Sequence, residues 1–117
     1  ILILSLYANA PSAFCSKEEL LFVSDGPVAV GGGLFHHSEN TENDSITTRY
    51  SFEGIHYDSL LIEKHIRSAR DRSPKVEVVK LPIKETMGKK KALLYAGSHL
   101  ILLTINKYDR VVVKKLK

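Results

Sequence analysis

The chain has 117 residues, 44% of them hydrophobic, with 17 lysines and arginines against 13 aspartates and glutamates. That length and apolar content suit one globular domain with a real core and exclude a chain disordered throughout. A single cysteine, Cys15, excludes an internal disulfide and any zinc site built on several thiolates. A lone cysteine of this kind is usually a small buried apolar residue.

The net charge of +4 hides a split. Residues 1–60 hold two basic and eight acidic side chains, whereas residues 61–117 hold fifteen basic and five acidic ones. Either the halves neutralise each other across the fold, or the second half offers a basic face to an anionic partner.

The first run, ILILSLYANA, is apolar and ends in Ala8-x-Ala10, like the close of a signal peptide. Pro11 makes it too short to span a bilayer, which needs about 20 apolar residues. It reads as a strand over 1–8, and it favours an extracytoplasmic or membrane-associated setting. The chain, 1–117, reads as one compact domain, or as a fragment or processed part of a longer protein. Next, SKEELLF carries a capping box, Ser16 with Glu19 three residues on, and predicts a short helix near 16–22.

Residues 24–27, SDGP, are turn chemistry, and VAV after them reads as strand. Gly31–Gly33 follow. A phosphate cradle needs a helix after the glycines, with its N-terminal amides facing the phosphate. Here LFHHSENTENDS follows, with no helical pattern, no Lys-Ser or Lys-Thr, and three carboxylates. The glycines therefore predict a bulge or close backbone crossing in a strand. His36 and His37 are adjacent, so on a strand they diverge to opposite faces. One of them could meet Glu39 or a remote histidine, His56, His65 or His99, but no spacing in the sequence marks a metal site and none is assigned. Asn43-Asp44-Ser45 fits the short N-glycosylation pattern.

ITTRYSF at 46–52 is rich in β-branched and aromatic residues and predicts a strand. Glu53-Gly54 reads as a tight turn, and IHY continues as a second strand. Residues 59–72, SLLIEKHIRSARDR, predict the main helix. Leu61, Ile62, His65, Ile66 and Ala69 fall within about 140° at 100° per residue, and Glu63 precedes Arg67 by four. Pro74 ends it. KVEVVKLPI then reads as a strand whose Pro82 belongs at a sheet edge. ALLYAG, HLILLTI and RVVVKKL are three more strands, the last two joined by a hairpin loop at 106–109. The expected class is α+β: a mostly antiparallel sheet of about five to seven strands packed by the 59–72 helix.

Catalytic signals are thin. There is no nucleophile elbow, and Ser98 and His99 are sequence neighbours that would face apart on a strand. No catalytic residue and no cofactor is assigned. The function expected is a non-enzymatic interaction module whose basic half engages an anionic partner: an acidic protein, a nucleic acid or an anionic membrane surface. It could act within an oligomer or larger assembly. Lys64, Arg67, Arg70, Lys89, Lys90, Lys91, Lys114 and Lys115 would supply that face. The competing reading is a small enzyme or ligand-binding domain with a pocket near Gly31–Gly33 and His36 or His37.

Overall fold

The structure, a computed structural model, describes residues 17–71 and 73–117. Nine strands follow in chain order: β1 (Lys17–Phe22), β2 (Gly33–Asn40), β3 (Ser45–His56), β4 (Ser59–Ser68), β5 (Lys75–Pro82), β6 (Lys84–Thr86), β7 (Lys89–Ala96), β8 (His99–Ile105) and β9 (Val111–Lys115). They form two antiparallel meanders, one of order β1-β2-β3-β4-β5 and one of order β6-β7-β8-β9. The expected α+β class is overturned, because no helix occurs among the described residues. The strand expected over 1–8, Cys15 and the Ser16 cap lie outside the described residues.

The reason is visible in which side chains are buried. Leu60 and Ile62 are fully buried while Leu61 between them is half-buried. That is a period of two, the strand alternation, and not the helical stripe expected over 59–72. The run Leu60-Leu61-Ile62 fits both periods, so the arbiter is pairing. β4 has a partner on each side, with Ile62 opposite Phe52 of β3 and Val79 of β5. An isolated helix of this length is marginal in water, and two backbone ladders outweigh it. The short helix expected near 16–22 fails in the same way. Its residues 17–22 are β1, with Leu20 and Phe22 packed against the core.

One face of each sheet builds a common core. Phe35, Phe52, Leu60 and Ile62 from the five-stranded sheet meet Ala92, Leu94, Ile101, Leu103 and Val111 from the four-stranded sheet. Phe35 stacks on Tyr50 with ring centroids 4.4 Å apart. The chain crosses between sheets at Ile83, whose N–H donates to the Asp58 carbonyl at 2.8 Å.

The glycine run makes a second tie between the sheets. Val28 and Val111 exchange backbone hydrogen bonds at 2.8 and 2.9 Å. The loop then turns back, and Gly31 N–H donates to the Phe52 carbonyl at 2.7 Å. Gly31 has φ +90°, which favours glycine. A Cβ on Gly32 would collide with the Val28 side chain. The pairing register of β2 shifts between Gly33 and Phe35, and this bulge lets both Leu34 and Phe35 be buried. VAV is thus a loop with one bridge rather than a strand. Residues 45–56 form one strand with a register shift at Gly54 where the sequence predicts a tight turn.

The strand assignment of 59–68 has a direct test. Ile62→Ala should destabilise the protein by about 2–5 kcal/mol, and Leu61→Ala by roughly 1 kcal/mol or less, in urea denaturation. Equal losses at the two positions would contradict the alternation.

Candidate functional site

Three groups of polar side chains compete for the role of site. The first lies between the sheets. Glu18 on β1 and His37 on β2 point inward, and the turn between β7 and β8 brings Ser98 and His99 to them. Ser98 donates to Glu18 Oε1 twice, from its N–H at 3.0 Å and from its Oγ at 2.9 Å. His37 Nε2 lies 3.2 Å and His99 Nε2 3.4 Å from the same oxygen. The two imidazoles stand edge to face with centroids 6.4 Å apart. His37 is buried, and its Nε2 has no aligned hydrogen-bond partner.

The two hydrogen bonds from Ser98, the N–H first, hold the Glu18 carboxyl well below its ordinary value, at about 2. Nearby His37 adds to this, and partial burial opposes it. Gly97 makes the approach feasible. Its φ is +61°, and a Cβ there would collide with His37 Nε2 and Glu18 Oε1. Ser98 and His99 therefore do not face apart as sequence neighbours on a strand would. Ser98 is in the turn, so both reach one carboxylate. His99 is also the one remote histidine that meets His37. Even so, among the described residues no three His, Cys, Asp or Glu side chains are disposed to hold a metal ion. Eighty residues separate Glu18 from Ser98, and no local pattern in the sequence could have joined them. The arrangement latches β1 to the opposite sheet.

The second group stands on the outer face of the five-stranded sheet. His36 diverges from His37 and lies opposite Arg49, which lies opposite His65 on β4. A cleft of about 290 Å³ opens here, lined by Gly31, Gly33, His36, Arg49, Glu63 and His65 among others. Glu63 engages His65 Nε2.

The third group is the basic set from the sequence, which the fold divides. Lys64 faces inward over the Tyr50 ring, 5.6 Å from its centroid. Burial and the Glu77 charge push the Tyr50 hydroxyl above its ordinary pKa. Arg67 lies on the outer face of the five-stranded sheet, opposite Thr47. Arg70 belongs to the β4–β5 connection, where its N–H donates to Asp44 Oδ1 at 3.0 Å. Lys90 pairs across from Glu85 and Ile105, and Lys115 across from Ile101, so neither shares a face with its lysine neighbours.

Lys89, Lys91 and Lys114 do share one face, the outer face of the four-stranded sheet. Lys84, opposite Lys91, joins them. Between them stand Leu93, opposite Leu102, and Tyr95, opposite Leu100. Leu93 is 53% and Tyr95 70% exposed, where a solvated sheet face would be polar. A cleft of about 390 Å³ lies on this side, lined by Pro82, Lys84, Thr86, Lys91, Leu93 and Leu102 among others. Leu102 has Lys114 as its β9 partner. Among the described residues every ion-pair contact of a carboxylate is with a histidine, and none is with a lysine or arginine.

Glu18→Gln tests the latch. A carboxyl whose folded pKa is depressed contributes stability above its unfolded value, and that stability is lost as pH falls through the folded value. The variant should be less stable than the parent at neutral pH. The gap should narrow below pH 4.5 and close near pH 2 in denaturant titrations. A gap independent of pH would show that the carboxylate charge plays no part. Comparison with known proteins gives no matching family model, no matching curated protein and no matching solved structure.

Proposed function

We propose that the chain is a non-enzymatic docking module that engages an anionic partner through the outer face of its four-stranded sheet. One observation carries the reading: exposed Leu93 and Tyr95, with half-buried Leu102 and Leu100 opposite them, form an apolar strip fringed by Lys84, Lys89, Lys91 and Lys114. An exposed apolar strip favours a partner with apolar groups, and the lysine fringe favours negative charge around them. An anionic membrane surface offers both over a wide flat area. Nucleic acid fits less well, since Tyr95 is the only aromatic ring on the strip and single-strand binding leans on stacked aromatics.

A second reading is a ligand-binding domain with a pocket at the glycine run. The cleft that gathers Gly31, Gly33 and His36 favours it. His37 takes no part in that cleft, because it points to the other face.

Vesicles of phosphatidylcholine with and without phosphatidylserine separate these readings. The docking module should sediment with the anionic vesicles only, and binding should fall steeply between 50 and 500 mM salt. Each of Lys89→Gln, Lys91→Gln and Lys114→Gln should weaken it roughly 5-fold, from about 1 kcal/mol per lysine near such a surface. Leu93→Ser should weaken it as well. Binding unchanged by salt or by all four variants would sink the proposal.

A further inference from the structure

We infer that the outer face of the five-stranded sheet carries a binding site for a phosphate group, held by Arg49 and Arg67 with the Thr47 hydroxyl and His65. This goes beyond the docking reading and does not depend on it, because it uses the opposite side of the molecule.

The geometry follows from register. Thr47 lies opposite Arg67, and Arg49 lies opposite His65. Paired residues share a face, and residues two apart on a strand share it too. Thr48 between them is buried, which places Thr47 and Arg49 outward. The two arginines are diagonal neighbours, about 7–8 Å apart at the backbone. Side chains of that length converge readily on one group between them.

They line a single cleft of about 340 Å³ with Thr47, His65, Ile66 and Pro74. Pro74, from the β4–β5 connection, walls one end. No carboxylate lines this cleft among the described residues. Neither arginine forms an ion pair among the described residues. Glu63, an acidic side chain on the same face, is engaged with His65 Nε2. Cationic side chains crowded on neighbouring strands repel one another, and an anion in the cleft would relieve that repulsion.

The donor set selects the ligand. Guanidinium groups present planar forks that match phosphate oxygens two at a time. A threonine hydroxyl between them adds a neutral donor. The cleft volume lies at the small end of the usual range for ligand sites, which suits a phosphorylated small molecule rather than a long chain. The phosphate could belong to a soluble monoester or to a lipid headgroup.

Calorimetric titration of the full chain with inorganic phosphate and with glucose 6-phosphate, beside neutral glucose as control, tests the site. Vesicles of phosphatidylcholine with phosphatidic acid form the second arm. Saturable binding of the phosphate probes is expected, with none for glucose. Arg49→Gln and Arg67→Gln should each weaken it about 10-fold or more. Arg49→Lys should recover part of the loss, since charge stays while the fork goes. Both arginines are exposed, so an unchanged thermal midpoint will show that these variants fold. Binding to vesicles alone, lost in the two variants, assigns the phosphate to a lipid headgroup. Binding in solution assigns it to a soluble ester. The triple variant at Lys89, Lys91 and Lys114 should bind the phosphate probes like the parent, whatever becomes of its vesicle docking. Absence of saturable binding in both arms overturns the proposal. So does a double Arg49→Gln, Arg67→Gln protein that binds as the parent does.

Discussion

The apolar contact between the two sheets sets the terms for everything else in this molecule. Phe35, Phe52, Leu60 and Ile62 leave water against Ile101, Leu103 and Leu94, because each sheet has one face to bury and the described residues hold no helix to bury it under. Once those residues point inward, alternation fixes which of their neighbours point out. Arg49 is outward because Tyr50 is inward, and Leu93 is outward because Leu94 is inward. Both candidate faces are therefore consequences of the core and not separate designs.

A core of this kind needs its two layers held in one relation, and the described residues supply three ties. The backbone crosses at Ile83, the glycine loop bridges Val28 to Val111, and Glu18 takes two hydrogen bonds from Ser98. The glycines belong to the second tie. The loop must run from β1 across to β9 and return to β3, which calls for a positive φ at Gly31 and a bare Cα at Gly32 against Val28. Their role in the cleft beside His36 follows from where that return brings the backbone.

Much of the strand content was legible. KVEVVKLPI and ALLYAG read as strands, as they are, and Asn106 closes the last hairpin by accepting N–H bonds from Tyr108 and Arg110. Residues 59–72 were not legible, for a physical reason. A run of Leu-Leu-Ile followed by charged residues satisfies a helical arc and a strand alternation equally well. The choice belongs to β3 and β5, which lie elsewhere in the chain. The basic set was legible as composition and not as a surface. Lysines 89, 90 and 91 look like one cluster in sequence, yet a strand sends the middle one to the other face. Leu93 and Tyr95, which give the outer strip its apolar character, stand at the same alternate positions as Lys89 and Lys91. An early strand assignment through the lysines would have revealed them.

The uneven charge of the two halves now has a structural sense. Two carboxylates of the first half are spent as hydrogen-bond acceptors. Glu18 latches the sheets. Asp44 takes bonds from Ser68 Oγ at 2.6 Å and from the N–H groups of Ser45 and Arg70, which ties the β2–β3 turn to the end of β4. Those bonds hold the Asp44 carboxyl below its ordinary pKa, Ser68 first among the causes. A carboxylate spent on N–H and O–H groups is not at hand to neutralise a distant lysine. The lysines and arginines of the second half form no ion pair among the described residues, and Arg67, Lys84, Lys89, Lys91 and Lys114 stand on faces that the core has already turned outward. Unpaired charge beside exposed Leu93 and Tyr95 on one side, and within a cleft on the other, is hard to explain as solubility alone. Scattered lysines would serve solubility, and an apolar strip works against it. The same constraint that builds the core therefore leaves two chemically distinct outer surfaces, one with lysines around exposed Leu93 and Tyr95, the other with Arg49 and Arg67 beside His65 and Glu63.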